Sequence, residues 1–172
     1  MKIVTDSGAD ISFEECKSLG ITMLPLKVDL AGVSYKSGID IDPEQFYDLM
    51  DASPTMPITS TPSVGEFAEV YKRLATEDPE ILSVHISSGL SATFNVAVQA
   101  AELVPEAKIT LIDTLTLSAG TGWQLRAASA MVKAGRKLED VVKTLRKIQD
   151  ATSTFFTLPD LKYLIAGGRI SH

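Results

Sequence analysis

Between Ile81 and Asn95 the chain reads ILSVHISSGLSATFN: an apolar run, a cluster of small hydroxyl residues around one glycine, and a second apolar pattern. A run as short and β-branched as Ile81, Leu82, Val84 and Ile86 suits a strand buried on both faces of a parallel sheet. Phe94, Ala97, Val98 and Ala101 then recur at i, i+3, i+4 and i+7, which predicts one buried face of a helix. The cluster of Ser87, Ser88, Ser91 and Thr93 about Gly89 therefore falls where a strand ends and a helix begins. The first turn of a helix leaves N–H groups without partners and carries partial positive charge, so an anion fits there.

The remaining chain repeats the alternation. Lys2–Thr5 predicts a first strand, followed by a turn over Asp6–Asp10 and a short helix that ends near Gly20, opened by a capping box of Ser12 and Glu15. Ile21–Leu30 forms a second extended segment, with Pro25 favouring an edge or irregular position. Residues 31–41 are polar and glycine-containing and suit a small hairpin or excursion. Asp42-Pro43 opens a helix whose buried side is expected to be Phe46, Tyr47, Leu49 and Met50, ending around Ser53-Pro54. A second hydroxyl cluster, Thr59-Ser60-Thr61, precedes another helix start, capped by Ser63 with Glu66 and faced by Val64, Phe67, Ala68, Tyr71 and Leu74.

After the opening stretch, Lys108–Asp113 predicts a buried strand. Helices follow over Leu125, Ala128 and Val132, ending at Gly135, and over Leu138, Val141, Val142, Leu145 and Ile148. Thr152–Thr157 (TSTFFT) reads as a last strand and Leu158–Ala166 as a short helix closed by Gly167-Gly168. The expected fold class is α/β, with three layers and a mostly parallel sheet between helices. Ligands of such folds bind beyond the carboxyl ends of the strands, where the Thr59 and Ser91 clusters can converge.

Several chemistries are excluded by what the chain lacks. Its formal net charge of −6, with no basic run, argues against nucleic acid. The single cysteine, Cys16, offers no disulfide and no metal pairing and reads as a helix-packing residue; a reducing, cytoplasmic setting follows as the expectation. A strand starting at once leaves no room for a signal peptide, and no apolar run reaches transmembrane length, so no stable membrane insertion is expected. No G-x-S-x-G, G-x-x-x-x-G-K-[ST] or G-x-G-x-x-G motif occurs. The histidines are His85, inside the apolar strand and expected to be a satisfied sheet residue, and the terminal His172. No metal or cofactor is expected. What remains is a set of hydroxyls and backbone donors with no base to activate a nucleophile, which favours binding over catalysis.

The hydroxyl clusters in their order resemble the DegV family of bacterial lipid-binding proteins. The matching pieces are Thr5-Asp6-Ser7 with Ala9-Asp10, Thr59-Ser60-Thr61-Pro62-Ser63, Ser87-Ser88-Gly89-Leu90-Ser91-Ala92-Thr93, Asp113-Thr114, Asp160-Leu161-Lys162-Tyr163-Leu164 and Gly167-Gly168-Arg169-Ile170. The resemblance implies a protein that binds one long-chain fatty acid and presents it to a fatty acid kinase, which phosphorylates the carboxyl group in phospholipid synthesis. It implies a carboxylate held by Thr59 and Ser91, with backbone N–H groups at Ser91 and Ala92, support from Ser60 and Ser88, and Thr61 and Thr93 as further candidates. Arg169 resembles the residue linked to carboxyl phosphorylation or kinase contact. The chain departs from the family pattern at Ala92, where glycine is usual, and in length. Family members continue into a second domain that covers the acyl chain, so residues 1–172 are expected to be the N-terminal α/β lipid-binding domain without that lid. Two further readings stay open: a subunit of a dihydroxyacetone-kinase-like phosphotransferase using His85, and a domain that serves interaction only.

Overall fold

The computed structural model describes residues 1–170; Ser171 and His172 lie outside the described residues. Four parallel strands form the main sheet: β1 (Lys2–Asp6), β2 (Ile21–Leu24), β6 (Glu80–His85) and β7 (Lys108–Asp113), in the order β2-β1-β6-β7. Successive side chains of a strand point to opposite faces, and two cores follow from that alternation. Ile3, Leu82 and Val84 pack against α1 (Phe13–Leu19), α5 (Ala119–Lys133) and α6 (Leu138–Asp150) through Cys16, Leu125, Ala128, Val141 and Leu145. Val4 and Ile81 face the other way, onto Phe67, Tyr71 and Leu74 of α3 (Val64–Ala75) and Ala97 and Ala100 of α4 (Thr93–Glu102). The expected three-layer α/β/α architecture is therefore present.

The chain leaves β1 for a helix on one face and leaves β6 for a helix on the other. The strand order thus reverses between β1 and β6, which opens a crevice at their carboxyl ends.

A second, antiparallel sheet was not legible as a unit. Strands β3 (Lys27–Leu30), β4 (Val33–Lys36) and β5 (Ile58–Ser60) order as β4-β3-β5, with Val28 opposite both Tyr35 and Thr59. Pro25 ends β2 before the chain enters this sheet, and residues 31–32 turn the hairpin with positive φ at Ala31 (52°) and Gly32 (80°). Thr59 consequently sits on a strand rather than at a helix start.

Five further expectations are corrected. Helix α2 (Pro43–Ala52) has the Asp42 cap, completed by a reciprocal bond with Gln45, but none of its residues is buried; Tyr47 is 59% exposed. None of its side chains joins either core, and Phe46 and Tyr47 instead line a cavity. In α4 the buried residues are Thr93, Ala97 and Ala100, so the packed face lies one position round from the Phe94-led stripe; small side chains allow close approach to the sheet. Strand β7 is an outer strand of the sheet and only Ile112 in it is buried. Thr152–Thr157 forms no strand: Phe155 is 92% exposed, and Thr154 is held instead through its hydroxyl by Thr116, at 2.6 Å. The last helix, α7, covers only Lys162–Ala166.

Capping follows the sequence at α3, where Ser63 Oγ accepts from Glu66 N and the Glu66 carboxylate accepts from Ser63 N at 2.7 Å and from the Lys27 ammonium at 2.9 Å. At α1 only half the box forms, because Glu15 turns away to Arg126, with Nε to Oε1 at 2.7 Å. The Ser63 N–H, with Lys27 adding to it, pulls the Glu66 carboxyl down to about 2 from 4.5. A depressed carboxyl contributes stability above its unfolded value and loses it as pH falls through the folded one. Glu66→Gln is expected to lower urea-unfolding stability at neutral pH and to flatten the acid limb, so that the variant and the wild type converge as pH falls from about 4.5 to about 2.

Candidate functional site

At the switch point the turn after β6 is tightly organised. Ser87 N donates to Thr116 O at 2.8 Å, and Ser87 O accepts from both Leu90 N and Ser91 N at 3.0 Å. The Ser91 N–H is therefore consumed within the turn. Its hydroxyl accepts from Thr93 N at 3.3 Å and lines the cavity at the start of α4, where the N-cap position, Ala92, makes no side-chain cap. A helix start leaves its first N–H groups unpaired, so the Ser91 hydroxyl and the Ala92 N–H are the donors that this turn offers.

These donors meet the second hydroxyl cluster across a cavity of about 560 Å³, within the range of small-molecule pockets. Thr59, Ser60, Thr61, Ser91, Ala92 and Arg169 line it together. Two of the expected residues stand apart. Thr93 is fully buried and pairs with the Ser91 hydroxyl at 2.8 Å, so it orients Ser91 and does not face the cavity. Ser88 is exposed outside the cavity lining, and its N–H donates to Asp113 Oδ1 at 3.2 Å.

Arg169 reaches in from beyond α7. Its Nε donates to Leu90 O at 3.3 Å and its NH2 group lies 3.4 Å from Thr59 Oγ1. A guanidinium beside a hydroxyl and a helix start makes this corner electropositive within a chain of net negative charge. The rest of the wall is apolar: Leu164 of α7, and Leu26, Ile86, Leu90, Leu117, Phe156 and Leu158. Sequence reading missed these, since their only signal is a position just past a strand, in a loop or in a short helix. Among the described residues no group of His, Cys, Asp or Glu could hold a metal ion, and no helix is long and apolar enough to cross a membrane.

A second cavity of about 550 Å³ adjoins the first, with Thr59 in the walls of both. It lies between the two sheets and is lined by Met23, Val28, Phe13, Phe46 and Tyr47.

The family model described as "Uncharacterised protein, DegV family" matches residues 1–172. The chain belongs to the DegV family. A DegV domain-containing protein of Staphylococcus aureus is 38% identical over 169 residues, covering 98% of this chain and 60% of that protein. Among solved structures, a DegV family protein of Thermus thermophilus, described as binding fatty acid, superposes with a TM-score of 0.89 at 32% identity, covering 97% of this chain and 59% of that one. A stearic-acid-binding protein of Eubacterium ventriosum gives 0.85 at 30% identity, with coverage of 97% and 59%. This DegV chain thus spans about 60% of the length of the curated relatives it matches.

The floor of the DegV crevice is close-packed. A Cβ on Gly8 would stand 2.7 Å from Ile86 Cγ2 and 2.9 Å from Asp6 Oδ1. Gly8→Ala is expected to cost about 1–3 kcal/mol in urea unfolding, as overpacking does.

His85, the residue on which a phosphotransferase would depend, is wholly buried. Its Nδ1 is 2.8 Å from Asp6 Oδ2 and its Nε2 is 2.7 Å from Ser83 Oγ. Both ring nitrogens are engaged and neither can reach a substrate. Cys16 is buried in the first core, as a packing residue, and burial pushes its thiol up to about 11.

Proposed function

We propose that this chain binds one long-chain fatty acid, holding the carboxylate between Thr59 and Ser91 with the Ala92 N–H and the Arg169 guanidinium, and presents it to a fatty acid kinase. The observation that carries the reading is the single cavity that joins these four groups to a largely apolar wall. A carboxylate needs donors and positive potential at one end, and an acyl chain needs apolar surface at the other. The DegV relatives described as fatty-acid binding support the choice of ligand.

Nothing in the site activates a nucleophile, so the protein acts as a binding subunit and the phosphoryl transfer belongs to its partner. Ser60 and Thr61 contribute polar wall, and to Arg169, exposed in the same lining, we assign the kinase contact. Each buried methylene adds about 0.8 kcal/mol, so full affinity for a long chain requires extensive apolar cover. We read residues 1–172 as the N-terminal lipid-binding domain, with further cover supplied by the portion of the relatives that this chain does not span, and we place the protein in the cytoplasm. Mass spectrometry of lipid extracted from the native protein tests the reading. A stoichiometric fatty acid is expected. Absence of lipid, together with no uptake of added palmitate, would contradict it.

A further inference from the structure

The motif Asp6-Ser7-Gly8 lies outside the set of groups that touch the proposed ligand, yet it joins the loops that build the cavity. Ser7 Oγ accepts from Leu26 N at 2.9 Å, and Gly8 O accepts from Ser118 N at 2.8 Å. Asp6 accepts from Gly8 N through Oδ1 at 2.9 Å and from Ile86 N through Oδ2 at 3.2 Å. Leu26 and Ile86 are both wall residues of the cavity.

Beneath Asp6 runs a wholly buried series of side chains: Asp6 Oδ2 to His85 Nδ1 at 2.8 Å, His85 Nε2 to Ser83 Oγ at 2.7 Å, and Ser83 Oγ to Tyr71 OH at 2.7 Å. The direction of these bonds follows from their chemistry. A carboxylate can only accept, so His85 Nδ1–H donates to Asp6; in the neutral ring the other nitrogen accepts from Ser83 O–H, and Ser83 Oγ accepts from Tyr71 O–H. Burial pushes the Tyr71 phenol up to about 12, which preserves that terminal donor. The series ends on α3, the helix that follows directly from Thr59-Ser60-Thr61. One connected network thus fixes the turn bearing Ser91 at one end and the helix behind Thr59 at the other.

We infer that Asp6, oriented by His85, Ser83 and Tyr71, is the positioning residue of the carboxylate site, setting the backbone at Ile86 and hence the place of the Ser91 hydroxyl. The inference rests on the proposed reading that Thr59 and Ser91 hold a carboxylate. A positioning role differs from a general contribution to stability in being felt only by a ligand that uses the polar corner.

The test compares palmitate with hexadecanol, which has the same chain length and no carboxylate, by calorimetric titration of the delipidated native protein. Asp6→Asn keeps the shape but turns an amide towards three donors, and Ser83→Ala removes the hydroxyl that holds His85. Palmitate affinity is expected to fall about tenfold in Asp6→Asn and several-fold in Ser83→Ala, with hexadecanol affinity unchanged. Equal loss of both ligands, or palmitate affinity equal to wild type, would overturn the inference; if Asp6→Asn does not fold, Ser83→Ala decides by the same comparison. Failure of the underlying reading has a different signature, since Thr59→Ala and Ser91→Ala would then leave palmitate binding unchanged as well.

Discussion

The double substitution Thr59→Ala/Ser91→Ala is expected to weaken palmitate binding by about a hundredfold or more. Hydrogen bonds to a charged group contribute about 1.5–3 kcal/mol each, and about 1.4 kcal/mol is tenfold in affinity. Thr59 comes from β5 and Ser91 from the start of α4, on opposite sides of the cavity, so neither can substitute for the other. The Thr59 change is expected to cost folding no more than about 0.5 kcal/mol, because Thr59 is exposed, whereas the Ser91 change also removes the partner of the buried Thr93 hydroxyl and is expected to cost about 1–3 kcal/mol. Each single variant is expected to retain partial affinity through the remaining hydroxyl, the Ala92 N–H and Arg169. Titration of the delipidated protein, with unfolding monitored in parallel, separates loss of the site from loss of the fold.

Leu82→Ala is expected to destabilise the fold by about 3–5 kcal/mol, a large part of the 5–15 kcal/mol that stabilises a typical domain. Leu82 has no exposed surface, sits on β6 between β1 and β7, and packs beneath α5 and α6 with Val84, Leu125 and Leu145. The strand is held on both sides and both faces, so the surrounding layers cannot collapse into the space left behind. Urea unfolding should show a lower midpoint with an unchanged slope. A similar change at Val33, 49% exposed on β4, should cost little.

The parts of this fold that could be read from sequence are those dictated by local chemistry. Ser63 with Glu66 and Asp42 with Pro43 stand at the helix starts they predict, because a capping side chain needs only neighbours a few residues away. The central strand around Leu82 was legible because burial on both faces leaves no polar alternation. The β4-β3-β5 sheet was not: it joins residues 27–30 to residues 58–60 across a helix, and β5 is an exposed three-residue strand with no periodic signal. The TSTFFT segment misled for the opposite reason. Its β-branched and aromatic residues have the composition of a strand, but propensity does not form a strand without a partner.

The site divides in the same way. Ser91 and Thr59 were legible as small hydroxyls beside turns, and their convergence followed from the general rule for open α/β sheets. The inward turn of Thr93 and the outward position of Ser88 were not, because both depend on where α4 begins relative to Ala92. The role of Asp6 was hidden for a related reason: its partners at Ile86, His85, Ser83 and Tyr71 lie far along the chain, and only the parallel pairing of β1 with β6 brings them together.

Binding palmitate labelled with carbon-13 at the carboxyl carbon, and following it by NMR in the native protein, tests the central claim most directly. The proposed function predicts through-space contacts from the labelled group to Ser91 and Thr59, a shift of the Ala92 amide resonance, and a carboxyl signal that no longer titrates as it does in solution. A bound palmitate whose carboxyl carbon shows none of these contacts and titrates like the free acid would contradict it.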